Sequence, residues 1–478
     1  MDGAVPRARV LGVLLSAVFV SMLCVTIVNV ALPSLQRELG ATAADVQWVL
    51  AGYSLSYGVL LIPSGRAGDL FGHARVFLLG LALFTAASIL ATLAPDPLVL
   101  NAARVVMGVG AGLFNPQVVG IIQRLYAGAD RAAAFGSYGA VTAVGAAFGP
   151  VIGGALLTWL PASLAWRATF AINVPLGAVA VMLALWWLPR SELQAPIRSG
   201  RARVTRPDLD PVGVVLLAVA TACLLIPFIV GSWWLLAAAV AAGASFVAWE
   251  RRYAARRRSP MVDLALFAVP SFRTGVLVFS LFFTGAINVY VIQTMFVQQG
   301  LGGSALLSGL VSLPPALVTG WASGRAAPLV VRHGARVVGW GLILALVGLG
   351  ATIAVMFPVA AGASIWWNAL TMSVFGVGMG LVMSATQTQA LLDVPVSSGG
   401  TAGGILQTGQ RIGSAIGLAI VPGIWFATQA QGPARAHGCA YAAIAGFVVL
   451  ALVATLLPPN AGNASTLRPR VDGSGSRL

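Results

Sequence analysis

About fourteen apolar runs follow one another along this chain of 478 residues, each near the roughly 20 residues that a bilayer-spanning helix requires. Runs of that length and number leave room only for short connections, and no separate soluble domain fits between them. Only 9% of the residues are charged and 58% are hydrophobic, whereas soluble domains carry roughly 25% charge. In lipid a helix satisfies its own backbone groups, so the chain reads as an all-α polytopic membrane protein. The first run, Val10 to Leu32, follows Arg7 and Arg9 and is too long for a signal-peptide core. It is expected to be a span and not a cleaved leader.

The formal net charge of +15 would suggest a nucleic-acid partner in a soluble protein. Here its distribution argues otherwise. All 28 basic residues are arginine; Arg37, Arg167 and Arg435 fall outside, Arg104 and Arg411 lie within spans, and the other 23 share one side. That asymmetry predicts a multi-pass protein of the plasma membrane with both termini cytoplasmic, and excludes nucleic acid. The segment from Pro189 to Pro211 carries Arg190, Arg198, Arg201, Arg203 and Arg206, and reads as a linker against an anionic leaflet. Spans seven and eight, about 212–230 and 233–249, form a hairpin followed by a second basic loop. The expected organisation is a six-helix bundle over 1–189, linkers and an inserted transmembrane hairpin over 190–271, a second six-helix bundle over 272–458, and a tail over 459–478. A repeat supports the two halves: Gly65-Arg66-Ala67 and Ala74-Arg75-Val76 recur as Gly324-Arg325-Ala326 and Ala335-Arg336-Val337. Carriers built from such halves bind their substrate between them, near the midplane.

No charge occurs between Arg131 and Arg167. Within that stretch Gly145, Gly149 and Gly153 recur every four residues, baring one helix face so that another helix can approach its backbone. Gly154 adjoins them, and Pro150 removes a donor and predicts a kink. A bare, kinked seam suits two bundles that rock against each other. Gly409, Gly413 and Gly417 echo it in span thirteen.

Polar residues inside spans are the candidates for chemistry. Arg104 stands about 9 Å below the outer boundary by helical rise, at an insertion cost of about 2.5–3.5 kcal/mol. Cys24, about 12 Å deep, is close enough in depth to face it. No span has an acid in its middle, so two routes stay open. Arg104 senses charge on an anionic or carbonyl-bearing substrate, or a proton travels at the span ends, through Asp45 or Asp393. In the loop Gly65 to Arg75, Asp69 can accept from the N-terminus of a neighbouring helix or pair with arginine. Asn29, Asn115, Gln117, Asn288, Gln293 and Gln387, with Gln389, Gln407 and Gln410, are available either to a substrate or to inter-helix bonding. Cys24, Cys223 and Cys439 form no disulfide framework, His73, His333 and His437 lack metal spacing, and without lysine there is no phosphate-binding GxxxxGK[ST]. The chain calls for no metal, no cofactor and no enzyme chemistry.

Several strings together resemble one family. Gly145 to Gly154, G-x-x-x-G-P-x-x-G-G, is similar to the fifth-span antiporter signature of major facilitator superfamily exporters. Gly65 to Arg75 resembles the superfamily's G-x-x-x-D-x-x-G-R-[KR] loop, with His73 and Ala74 at usually basic positions. Arg104 to Gly112, R-x-x-x-G-x-G-A-G, is similar to the fourth-span motif of proton-coupled members. Thr26 to Pro33 matches the first span of the fourteen-span drug:proton antiporters, with Cys24 where their aspartate stands. Trp166 to Gly177 and Pro260 to Phe267 resemble further segments of that branch. The resemblance implies a major facilitator fold of two six-helix bundles and an inserted hairpin. It implies a monomeric transporter that exports an amphipathic drug or antibiotic by alternating access, driven by protons. Arg104, Cys24, Asn29, Asp69 and Arg75 would serve coupling, and Cys24 keeps open an exchanger or facilitator for an anionic metabolite.

Overall fold

Backbone groups in lipid must be taken up locally, and the computed structural model, which describes residues 7–188, 210–227, 232–256 and 260–456, is helical in every element of more than a few residues. The first half comprises α1 (Arg7–Leu39), α2 (Ala43–Phe71), α3 (His73–Thr92), α4 (Pro97–Leu125), α5 (Gly128–Trp159), and α6 (Ala162–Ala171) with α7 (Asn173–Trp187), which together form one span. Two helices intervene, α8 (Pro211–Leu225) and α9 (Leu235–Ala255). The second half comprises α10 (Pro270–Met295), α11 (Ala305–His333), α12 (Arg336–Ala360), α13 (Trp366–Ala390), α14 (Gly399–Thr428) and α15 (Pro433–Leu456). The basic linker of 189–209, residues 257–259 and the tail from 457 lie outside the described residues.

Polar side chains start several helices where the sequence places them. Thr42 and Asp45 form a reciprocal capping box on α2, Asp96 accepts from Val99 N at α4, and Ser304 accepts from Leu307 N at α11. The expected Gly65–Arg75 loop is mostly helix: α2 continues to Phe71 and turns on Gly72 alone, at φ 97°. A residue without Cβ tolerates that conformation, so Arg66 and Asp69 project from a rigid helix end.

Among the described residues, twelve helical segments are long and apolar enough to cross a bilayer, against the fourteen expected. The difference lies in the hairpin. α8 has 15 residues, or about 22 Å of rise against a hydrocarbon core of about 30 Å. α9 carries Glu250, Arg251 and Arg252 in its last two turns. Polar bonds tie the hairpin's base: Trp249 Nε1 donates to Asp210 Oδ1 at 2.8 Å, and Val262 N donates to Glu250 Oε2 at 3.4 Å. Burial, with the Asp210 charge next, pushes the Glu250 carboxyl up to about 7.

Glycines set the helix crossings, with the same plan in both halves. α4 lies between α2 and α3: an added Cβ on Gly112 would stand 3.0 Å from Tyr57 O, and one on Gly110 2.7 Å from Gly80 O. α13 lies likewise between α11 and α12, with Gly376 against Pro315 and Gly378 against Gly341 and Ala345. The buried apolar residues form two clusters. One joins α1–α7 with part of the hairpin and the start of α14, and the other is built mainly from α10–α15.

Candidate functional site

The seam glycines of α5 do bring a second backbone close, but the partner is α1 of the same half. A Cβ on Gly145 would meet Phe19 O at 3.1 Å, one on Gly149 would meet Ile27 N at 2.8 Å, and one on Gly153 would meet Ile27 O at 3.1 Å. Gly154 faces open space, and α5 is helical without interruption through Pro150. Gly413 and Gly417 repeat the arrangement on α10, against Ser280 and Thr284. The crossing between halves lies one turn or more earlier on α5, where Gly136 and Gly139 abut Ser323 of α11 and Ser323 Oγ donates to Gly136 O at 3.0 Å.

At the end of the bundle where α2 turns into α3, the halves meet through Asp69. Its carboxylate accepts from Gly400 N (3.1 Å), Thr401 N (3.0 Å) and Thr401 Oγ1 (2.6 Å), all in the first turn of α14. Four free N–H groups and the positive end of the dipole make a helix N-terminus a natural seat for a carboxylate. His73 Nε2 lies 3.3 Å from Asp69 Oδ1, and His73 Nδ1 is 2.8 Å from Gln117 Oε1. Gln117 Nε2 donates in turn to Ser64 O at 2.8 Å. Gln123 adds a second strap, donating to Leu391 O and Val394 O, each at 3.2 Å. Arg75 is exposed on the first turn of α3.

Deeper in, Arg104 is only 1% exposed. Its Nε donates to Val49 O at 2.7 Å, its Nη1 lies 3.3 Å from Cys24 Sγ, and its guanidinium covers the Tyr53 ring at 4.4 Å. The depth argument from sequence thus corresponds to a direct contact, on neutral partners. Tyr53 and Tyr57 are one turn apart on α2 with ring centres 5.9 Å from each other, and Arg411 of α14 lies 4.2 Å over the Tyr57 ring. Two arginines are therefore linked across the halves by two tyrosines.

Arg411 borders a small cavity of about 20 Å³ between the halves, shared with Tyr57, Tyr138, Gln387, Gln407 and Gln410. Of the amides singled out as available to a substrate, Gln387, Gln407 and Gln410 reach it. Asn115 bridges to Ser21 of α1 and to Ala111 O, and Gln117 belongs to the Asp69 network. Asn288 bonds back to Thr284 O, and Gln293 pairs with Asn368. Asn29 is exposed on α1. Asp45 is engaged in its capping box, and Asp393 accepts from Ser271 Oγ at 2.8 Å. Arg411 is the residue that the site reading from sequence left out. Its signal was present, since it is the second arginine inside a span.

A family model described as Major Facilitator Superfamily matches residues 14–418. The chain is 33% identical over 437 residues to a protein of Streptomyces coelicolor named "Probable actinorhodin transporter", covering 89% of this chain and 74% of that one. It is 31% identical over 476 residues to the "Cephamycin export protein CmcT" of Amycolatopsis lactamdurans, covering 93% and 91%. It is also 31% identical over 414 residues to the "Multidrug resistance protein Stp" of Mycobacterium tuberculosis, covering 84% and 73%. Among solved structures, the human organic anion transporter MFSD10 superposes with a TM-score of 0.67 at 15% identity, covering 94% of this chain and 99% of that one. That likeness speaks for the fold.

Proposed function

This chain belongs to the Major Facilitator Superfamily, and on that premise we propose that it exports an amphipathic antibiotic or drug across the plasma membrane by alternating access, in exchange for protons. Its antibiotic and multidrug transporter relatives make it a transport protein and not an enzyme. What carries the reading is the pairing of a cavity between the halves with a polar clamp at one end. The clamp, Asp69 on the α14 N-terminus, is made of bonds between halves that a rocking motion must break and remake. The cavity lies where carriers built of two repeats hold their substrate. The coupling set would be Arg104, Cys24, Asn29, Asp69 and Arg75, the glycine seams would let each half move as a unit, and α8 and α9 would complete a fourteen-span topology. Both termini would then be cytoplasmic.

One observation favours a second reading. The buried Arg104 faces a thiol where a titrating carboxylate would take up a proton. Transport without proton exchange, as an exchanger or facilitator for an anionic metabolite, follows from that. Everted vesicles separate the two. Collapse of a preset pH gradient on adding the drug is the expected result for proton-driven export. Counterflow that runs equally well without a gradient would replace it with the exchanger.

A further inference from the structure

Arg411 is the thirteenth residue of the 30-residue α14, roughly 18 Å from its start, and so close to the middle of a membrane-spanning helix. Its surroundings differ from those of Arg104. Arg104 has a carbonyl at 2.7 Å, a sulfur at 3.3 Å and the Tyr53 ring. Arg411 has the Tyr57 face, and among the described residues no carboxylate lies within 4 Å of it. A cation in mid-membrane is costly and is usually matched by counter-charges, carbonyls or water, whereas Arg411 is met by one aromatic face. The guanidinium is therefore undersupplied by the protein, and it borders a cavity.

The same cavity holds other unspent polar capacity. Gln407 is 4% exposed with both Nε2 and Oε1 unpartnered, and Gln387 is 3% exposed with Oε1 unpartnered. Buried amides without partners carry an uncompensated desolvation cost, so a ligand that satisfies them is favoured twice. Around these groups stand the flat faces of Tyr57 and Tyr138 and the polarisable Met22 and Met383.

Resting on the reading of this cavity as the transport site, we infer that Arg411 is its anion-binding group and that the substrate is an aromatic organic anion. The oxyanion, a carboxylate or an acidic phenolate, pairs with the Arg411 fork and with Gln407 Nε2. The aromatic body lies against Tyr57, Tyr138 and the methionines. In this closed arrangement the free space among these groups is about 20 Å³, room for about one water, so the substrate's body reaches them as the halves separate. Arg104, sealed and supplied by neutral partners, does not line this cavity.

The test compares anthraquinone-2-carboxylate with its methyl ester and with a trimethylammonium analogue, on the full chain in lipid nanodiscs, by titration calorimetry. The wild type is expected to bind the carboxylate at least tenfold more tightly than the ester. Arg411→Gln should erase that preference while leaving ester binding as it was, and Arg411→Lys should keep part of it. Ester binding serves as the control for folding of each variant. Equal binding of acid and ester by the wild type, absence of binding by the acid, or equal loss of both ligands in Arg411→Gln overturns the inference. A parallel uptake assay in everted vesicles separates it from the export reading. Preferred binding and uptake of the trimethylammonium analogue sinks the anion site but leaves export standing. Selective binding of the carboxylate without any uptake sinks export and leaves the anion site.

Discussion

Arg104 and Arg411 both lie deep within spanning helices, and their partners assign them different work. Around Arg104, the charge-assisted bond to Val49 O contributes about 1.5–3 kcal/mol and the Tyr53 face up to about 2 kcal/mol, enough to offset the insertion cost of about 2.5–3.5 kcal/mol. That balance has no need of an acid, which is why a thiol is tolerated at Cys24. Cys24→Asp would set a carboxylate beside Nη1 and create a titratable pair in a low-dielectric site. The expected outcome is a pH dependence of export that differs from the wild type's, read as initial rates across pH 5.5 to 8. Arg104→Ala leaves Val49 O unpaired and the Tyr53 face bare, and is expected to cut export at least tenfold in a drug-accumulation assay. Normal export by that variant would remove Arg104 from the mechanism.

At the scale of elements, the glycine rows act inside each half. α5 on α1 and α14 on α10 are backbone-close crossings related by the internal repeat, and they make each half stiff. Gly149→Ala forces a methyl to 2.8 Å from Ile27 N, a backbone atom that cannot turn aside. The expected penalty is about 1–3 kcal/mol, measured as a lower unfolding temperature in detergent together with weaker export. Gly154→Ala meets open space, and alanine's higher helix propensity makes it neutral or slightly stabilising. Equal effects of the two substitutions would contradict the assignment of the packed face. The hairpin is joined differently, through the polar base of Asp210, Trp249 and Glu250 and through Leu225 against Gly58 of α2.

At the scale of the whole molecule, the halves are held shut at one end by hydrogen bonds between residues more than 300 positions apart. Asp69→Asn keeps the size of the side chain but loses its charge on the α14 N-terminus. It also leaves two backbone donors with weaker or absent acceptors. Spin labels at Ala129 and Val396, exposed at this end on opposite halves, should report a longer mean distance in Asp69→Asn than in the wild-type background. An unchanged distance distribution would mean that the Asp69 contact does not govern closure.

How much of this could be read from the chain follows from which quantities are local. Span positions, the repeated halves and the depth match of Cys24 and Arg104 came from counting, because an apolar run and a fixed helical rise convert residue number directly into height. For Asp69 the chain left two uses open, a helix N-terminus or an arginine, and the packing of α14 against α2 decided for the first. Rotation about each helix axis was not legible. In a soluble helix the polar face marks the outside, but a span is apolar all round and bare of that signal. Only tertiary packing could therefore decide that the glycine seam meets α1 and that Gln387 faces the cavity while Asn288 and Gln293 do not. The same holds for Arg411, which tertiary packing sets against Tyr57 of the opposite half.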